Sequence, residues 1–184
     1  AARLPSLLAS LLLIPLTAQL ARRLGGGRTA ACLAAAVVAV APLTVQFSAT
    51  AFSDPLLTFW LTAALVLVLA RPGRARPGWV GLCLGLALAT KYQAVLFLPL
   101  LVGLAWLRGW RAREWARGLA GLAVVVVVVA IWAAARADGA GLVARQWANV
   151  GGLRLVWSWE LWPRLAQTAR LWRLGLGGPL LALG

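Results

Sequence analysis

Residues 79–107 read WVGLCLGLALATKYQAVLFLPLLVGLAWL, and how this run meets a bilayer decides the fold. It is apolar apart from Thr90-Lys91-Tyr92-Gln93 near its middle. As one long helix it would bury Lys91 at mid-bilayer, which costs about 2.5–3.5 kcal/mol on insertion scales. It would also send Arg108, Arg111, Arg113 and Arg117 to the side opposite Arg71, Arg74 and Arg76. As two short helices, about Trp79–Ala89 and Ala94–Leu107, the run keeps both arginine groups on one side and lifts Lys91 toward the other. The hairpin is therefore the predicted form. Its arms are too short to cross ~30 Å at ~1.5 Å per residue. They must be shielded by neighbouring helices or by a locally thinned bilayer, and a cavity is expected on the outer side.

The rest of the chain supports a bilayer as solvent. Hydrophobic residues make up 62% and charged residues 12% of the sequence, against roughly 45–50% and ~25% in soluble domains. The formal charge is +14, from 18 Lys+Arg against 4 Asp+Glu. In a soluble chain that balance would suggest nucleic acid. Here the arginines cluster at the ends of apolar runs, as cytoplasmic anchors do, so the charge is read as topology and no nucleic-acid partner is expected.

Outward from the central run, the first predicted span is about Leu4–Ala21, ending at Arg22-Arg23. Gly25-Gly26-Gly27 follows as a turn; with no strand before it and no Lys-Ser/Thr after it, it does not read as a phosphate loop. The second span, about Thr29–Phe47, returns outward. A polar break, Ser48 to Pro55, precedes the third span, about Leu56–Ala70, which leads into the basic loop Arg71–Gly78. Beyond the central run, Gly118–Ala135 crosses outward again. Gly81, Gly85 and Ala89 recur at four-residue spacing, which lets one helix back closely onto another. Cys32 and Cys83 sit in apolar runs as small apolar side chains, and no group has metal-ligand spacing.

Residues 139–173 interleave tryptophan with arginine, a composition suited to the headgroup zone, and are expected to form an outer loop with one interfacial helix. Residues 174–184 are read as the start of a truncated span. The sequence is thus expected to be all-α, a polytopic transmembrane helical bundle truncated at both ends, with residues 1–138 as its core.

Any carboxylate chemistry must come from Asp54, Glu114, Asp138 or Glu160. Glu114 lies among arginines and is read as an interfacial ion-pair partner. The other three are assigned to the outer face. At Ser53-Asp54-Pro55 a helix start is expected, with Ser53 or Asp54 as cap and Pro55 in the first turn. A carboxylate held there could also orient or help deprotonate a hydroxyl nucleophile. Lys91 could snorkel at a helix end, or neutralise a phosphate as negative charge develops on it. Tyr92 and Gln93 could add hydrogen bonds.

Arg3-Leu4-Pro5-Ser6, the stretch from Phe47-Ser48 to Asp54-Pro55, and Gly85-Leu86-Ala87-Leu88-Ala89-Thr90-Lys91-Tyr92 resemble the membrane core of polyprenyl-phosphate-sugar-dependent glycosyltransferases. This superfamily includes the protein O-mannosyltransferases, the aminoarabinose transferases and RgtA/B/C/D-like proteins. The similarity spans about residues 3–107. It implies a C-type glycosyltransferase fold and inverting transfer of a sugar from a lipid phosphate carrier at the outer face. Asp54 would be the second acidic residue of the site and Lys91 the Thr-Lys position, and the principal acidic residue would precede Ala1, leaving the fragment inactive by itself. The donor is expected to be a polyprenyl-phosphate-linked sugar, with no certain cofactor and no metal assigned. Outer-facing Arg136 and Arg145 are candidate contacts to donor or acceptor. Membrane lipid and a protein, lipid or glycan acceptor are the expected partners. The Ala, Arg and Gly bias suggests a bacterial plasma membrane. A multi-pass transporter or lipid-handling permease is the alternative, since short broken helices and an intramembrane lysine can line a solute path. A purely structural membrane subunit would leave Asp54 and Lys91 with capping and snorkelling alone.

Overall fold

The computed structural model describes residues 3–48, 53–70, 76–135 and 166, and these are helical with short turns and no strand among them. Helix α1 spans Leu4–Arg23. Gly25 ends it with φ +94°, a left-handed conformation that suits glycine, and Gly26 N–H closes onto Ala21 carbonyl at 2.9 Å. The predicted second span is two helices, α2 (Arg28–Val40) and α3 (Pro42–Ser48). Pro42 has no N–H to give and disfavours the helical region for the residue before it. Ala41 is accordingly extended, at φ −60° and ψ 123°.

Helix α4 is Asp54–Val68 and α5 is Pro77–Thr90. They form an antiparallel pair. Val68 near the end of α4 shares a buried cluster with Val80 near the start of α5, and Leu61 shares another with Ala87. Lys91 then breaks the helix in an extended conformation, φ −152° and ψ 132°, followed by a 3₁₀ turn over Tyr92–Phe97. Helix α6, Leu98–Leu107, starts with Pro99 in its first turn.

The chain reverses at this break, as the sequence predicted. Leu101 of α6 lies in the same buried cluster as Val80 and Leu84 of α5. On one straight helix Val80 and Leu101 would be ~30 Å apart at ~1.5 Å per residue.

Gly109, at φ +69°, turns the chain into α7, Ala112–Ala135. Sequence reading placed Glu114 in an ion pair with arginines; the structure gives its carboxylate another task. Glu114 Oε2 accepts the Arg111 N–H at 2.8 Å, while Glu114 N–H donates to the Arg111 carbonyl, also at 2.8 Å. A carboxylate three residues into a helix can reach an otherwise unpaired N–H at its start, and that need outweighs a solvated pair with a neighbouring arginine.

α1 packs on α2 and α4 through a face of mostly small residues, Ser6, Ala9, Ser10 and Leu13, all buried. α5 meets α7 through glycine. A methyl group on Gly81 would overlap the Gly118 carbonyl, one on Gly121 would overlap the Gly78 carbonyl, and one on Gly85 would lie 2.8 Å from Val125 Cβ. Such close approach supplies dispersion contacts in a solvent where apolar burial gives little drive between helices. Outward from these contacts stand exposed Leu7, Leu8, Leu11 and Leu12 on α1 and Val126 to Val129 and Ile131 on α7. A face this apolar suits lipid tails rather than water. α1 and α7, with 20 and 24 residues, are long and apolar enough to cross a membrane.

The chain divides into two compact units, Ala1–Val127 and Val128–Gly184. The second is described only at the end of α7 and at Ala166. Predicted residues Arg136, Asp138, Arg145 and Glu160, the interfacial helix of 139–173 and the span from 174 lie outside the described residues.

Candidate active site

Two sequence signals far apart in the chain meet in one place. Lys91 is where α5 ends, and its extended backbone carries the side chain off the helix axis. The break is nonetheless held on both sides: Lys91 N–H donates to the Ala87 carbonyl at 2.9 Å, and Ala94 N–H to the Lys91 carbonyl at 3.1 Å. Thr90 Oγ1 donates to the Leu86 carbonyl at 2.7 Å, so the last turn of α5 keeps its side-chain hydroxyl on the backbone.

Asp54 opens α4, with Pro55 in the first turn as expected. The expected cap is absent. Ser53 takes the N-cap position in a helical conformation, φ −82° and ψ −9°, and makes no side-chain cap hydrogen bond. A cap needs an extended residue that aims its oxygen at the next turn; the local backbone does not provide one. The Asp54 carboxylate turns elsewhere, and its charge still complements the positive end of the helix dipole.

Its partner is Lys91. Lys91 Nζ donates to Asp54 Oδ1 at 2.5 Å across 37 positions of sequence. The two side chains are 28% and 41% exposed, so the pair is open on one side and backed by protein on the other. The backing is apolar: Leu61, Ala87 and Ala94 are buried with Leu57, Trp60 and Leu88 packed against them. This cluster fixes α4 to α5 at the level of the break. A partly buried lysine with no counter-charge beside this apolar cluster would be costly, and the carboxylate offsets that cost while leaving both charges reachable.

Tyr92 and Gln93 stand exposed on the 3₁₀ turn directly after Lys91. Thr58 lies one turn below Asp54 and spends its hydroxyl on the Asp54 carbonyl at 2.9 Å. Of the residues singled out from sequence, the structure brings Asp54 and Lys91 into contact and sets Tyr92 and Gln93 next to them in the chain. Among the described residues no group of three or more His, Cys, Asp or Glu could hold a metal ion.

Residues 1–132 match the family of dolichyl-phosphate-mannose-protein mannosyltransferases. The chain belongs to this family. No curated protein and no solved structure matches it. As a member of the mannosyltransferase family it is an integral membrane protein of the glycosyltransferase kind. The matched stretch takes in all of α1 to α6 and most of α7, including both halves of the Asp54–Lys91 pair. The resemblance noted from short motifs over residues 3–107 is thereby extended. The permease alternative has no comparable support.

Proposed function

We propose that this mannosyltransferase-family chain moves a sugar from a polyprenyl-phosphate donor to an acceptor hydroxyl at the outer face of the membrane, inverting the anomeric centre, and that Asp54 and Lys91 act there as one unit. The observation that carries this reading is their ion pair at the broken end of α5. With no donor bound, each charge neutralises the other. A lipid phosphate arriving at the break brings a stronger set of acceptors to the ammonium. Lys91 then turns toward phosphate, and the Asp54 carboxylate is freed to accept a hydrogen bond from the acceptor hydroxyl.

In the transfer, the hydroxyl oxygen bonds to the anomeric carbon while the bond from that carbon to the phosphate oxygen breaks. The electron pair leaves with the polyprenyl phosphate, where Lys91 stabilises the growing charge. Asp54 orients the hydroxyl, and the hydroxyl proton passes to a carboxylate. Tyr92 and Gln93 are placed to hydrogen-bond the phosphate or sugar, and Arg136 and Arg145 are further candidates for contact with donor or acceptor. The side follows from the arginines: Arg22, Arg23, Arg28, Arg76, Arg108 and Arg111 mark the cytoplasm, and Lys91 is at the opposite end of α5 from Arg76.

Asp54→Asn keeps the shape of the side chain and removes its charge. In the full-length protein reconstituted in lipid, transfer from a polyprenyl-phosphate-linked sugar should fall by roughly a hundredfold or more, with the thermal midpoint little changed. Near wild-type transfer would show that the carboxylate is structural. In a cysteine-free background, an impermeant thiol reagent applied to intact cells should label Tyr92→Cys and spare Arg111→Cys. The reverse pattern would place the site inside.

A further inference from the structure

The opposite end of α5 carries a feature that the transfer reaction does not use. Between α5 and α7 an open concavity of about 530 Å³ is lined by Arg76, Arg117, Trp79, Leu82, Gly121 and Val124, among others. It exists because the helices cross on glycine: a Cβ on Gly78 would lie 3.6 Å from the Arg117 carbonyl, and one on Gly121 would overlap the Gly78 carbonyl. Where side chains are missing from both backbones, a groove is left beside the crossing. Its walls are apolar, with Trp79 55% exposed. Arg76, just before α5, and Arg117 of α7 also line it, and both residues are exposed.

The arrangement has the polarity of an amphiphile. Two arginines at the arginine-rich end of the bundle match a phosphate, which guanidinium groups bind with paired hydrogen bonds. The rest of the lining is largely apolar and lies open on one side, and it fits a chain rather than a hydrated ion. A tryptophan on its rim is the residue type that settles at headgroup level. Basic pockets between transmembrane helices on the cytoplasmic side are places where anionic headgroups collect. We propose that the α5–α7 groove is a binding site for an anionic phospholipid, its phosphate held by Arg76 and Arg117 and one acyl chain laid against Trp79, Leu82 and Val124. The lipid completes the α5–α7 contact at the end remote from the Asp54–Lys91 pair.

The test uses the full-length protein purified in detergent and offered phosphatidylglycerol or phosphatidylcholine, with retained lipid counted by native mass spectrometry. Wild type should retain phosphatidylglycerol in preference to phosphatidylcholine. Arg76→Gln with Arg117→Gln should lose that preference. Ala120→Trp, at an exposed position lining the groove, should displace the lipid with both arginines still in place. Equal retention of the two lipids by wild type, or undiminished phosphatidylglycerol on both variants, would overturn the proposal. Displacement of the lipid by millimolar inorganic phosphate would reduce the site to an anion site and overturn it too, as would retention of polyprenyl phosphate in preference to phosphatidylglycerol. The preference of wild type is read without any variant, so a variant that fails to fold does not shield the idea.

Discussion

The two halves of α5 solve different problems with different residues. From Gly78 to Gly85 the helix gives up side chains so that its backbone can press on α7. From Ala87 to Lys91 it packs on α4, then stops and exposes a charge to Asp54. At Gly81 and Gly85 the first half has no room for a larger residue, and it carries no chemistry. The second is half-open and holds groups whose worth lies in what they do to a ligand. Substitutions in one half should therefore strike folding, and in the other activity.

The largest effect should come from Gly81→Leu. Its side chain would begin inside the Gly118 carbonyl, where only backbone movement could make room. Overpacking of side chains alone costs about 1–3 kcal/mol, and a backbone clash should reach or exceed about 3 kcal/mol. The measurement is the thermal midpoint and membrane yield of the full-length protein; wild-type values would show that α5 and α7 do not cross as closely as described.

Lys91→Gln should come next, and in the other currency. Loss of one electrostatic contact in a preorganised site removes about 2.7–4 kcal/mol of transition-state stabilisation, a rate drop of roughly 10²–10³. Single-turnover transfer reads it directly. Lys91→Arg should recover part of the rate, because charge is kept while its shape and hydration change. Full recovery would mark Lys91 as an anchor at a helix end.

The smallest effect should be at Glu114. Glu114→Ala removes the reach-back bond to Arg111 N–H and should cost about 0.5–1 kcal/mol, the scale of a lost helix cap, with transfer unchanged. Glu114→Gln can still accept that bond and should lie near wild type. If Gln and Ala destabilise equally, the charge matters and the ion-pair reading returns.

The helical hairpin at Lys91 was legible because a single charge in an apolar run has few acceptable depths. Asp54 was legible as a residue of interest because the whole chain has 4 acidic residues. Their contact was not, since nothing in sequence fixes how α4 and α5 align when the two residues are 37 positions apart. The close-packing role of Gly81 and Gly85 could be read from spacing, but their partners Gly118 and Val125 required the fold. Two misses had signals in plain view. Pro42 divides the second span, and the spacing of Ser6, Ala9, Ser10 and Leu13 marks the buried face of α1. Glu114 escaped because Arg111, which lacks the usual capping hydroxyl, does not announce a helix start.

The central claim is that Asp54 and Lys91 work as one unit on the donor, and a double-mutant cycle tests it most directly. Single-turnover transfer would be measured for wild type, Asp54→Asn, Lys91→Gln and the double variant, all full-length and reconstituted in lipid. Residues that share one interaction couple by about 0.5–3 kcal/mol. The account predicts that the double variant transfers scarcely more slowly than Lys91→Gln alone. Losses that simply add in free energy would contradict it, leaving the Asp54–Lys91 contact as a structural tie between α4 and the end of α5.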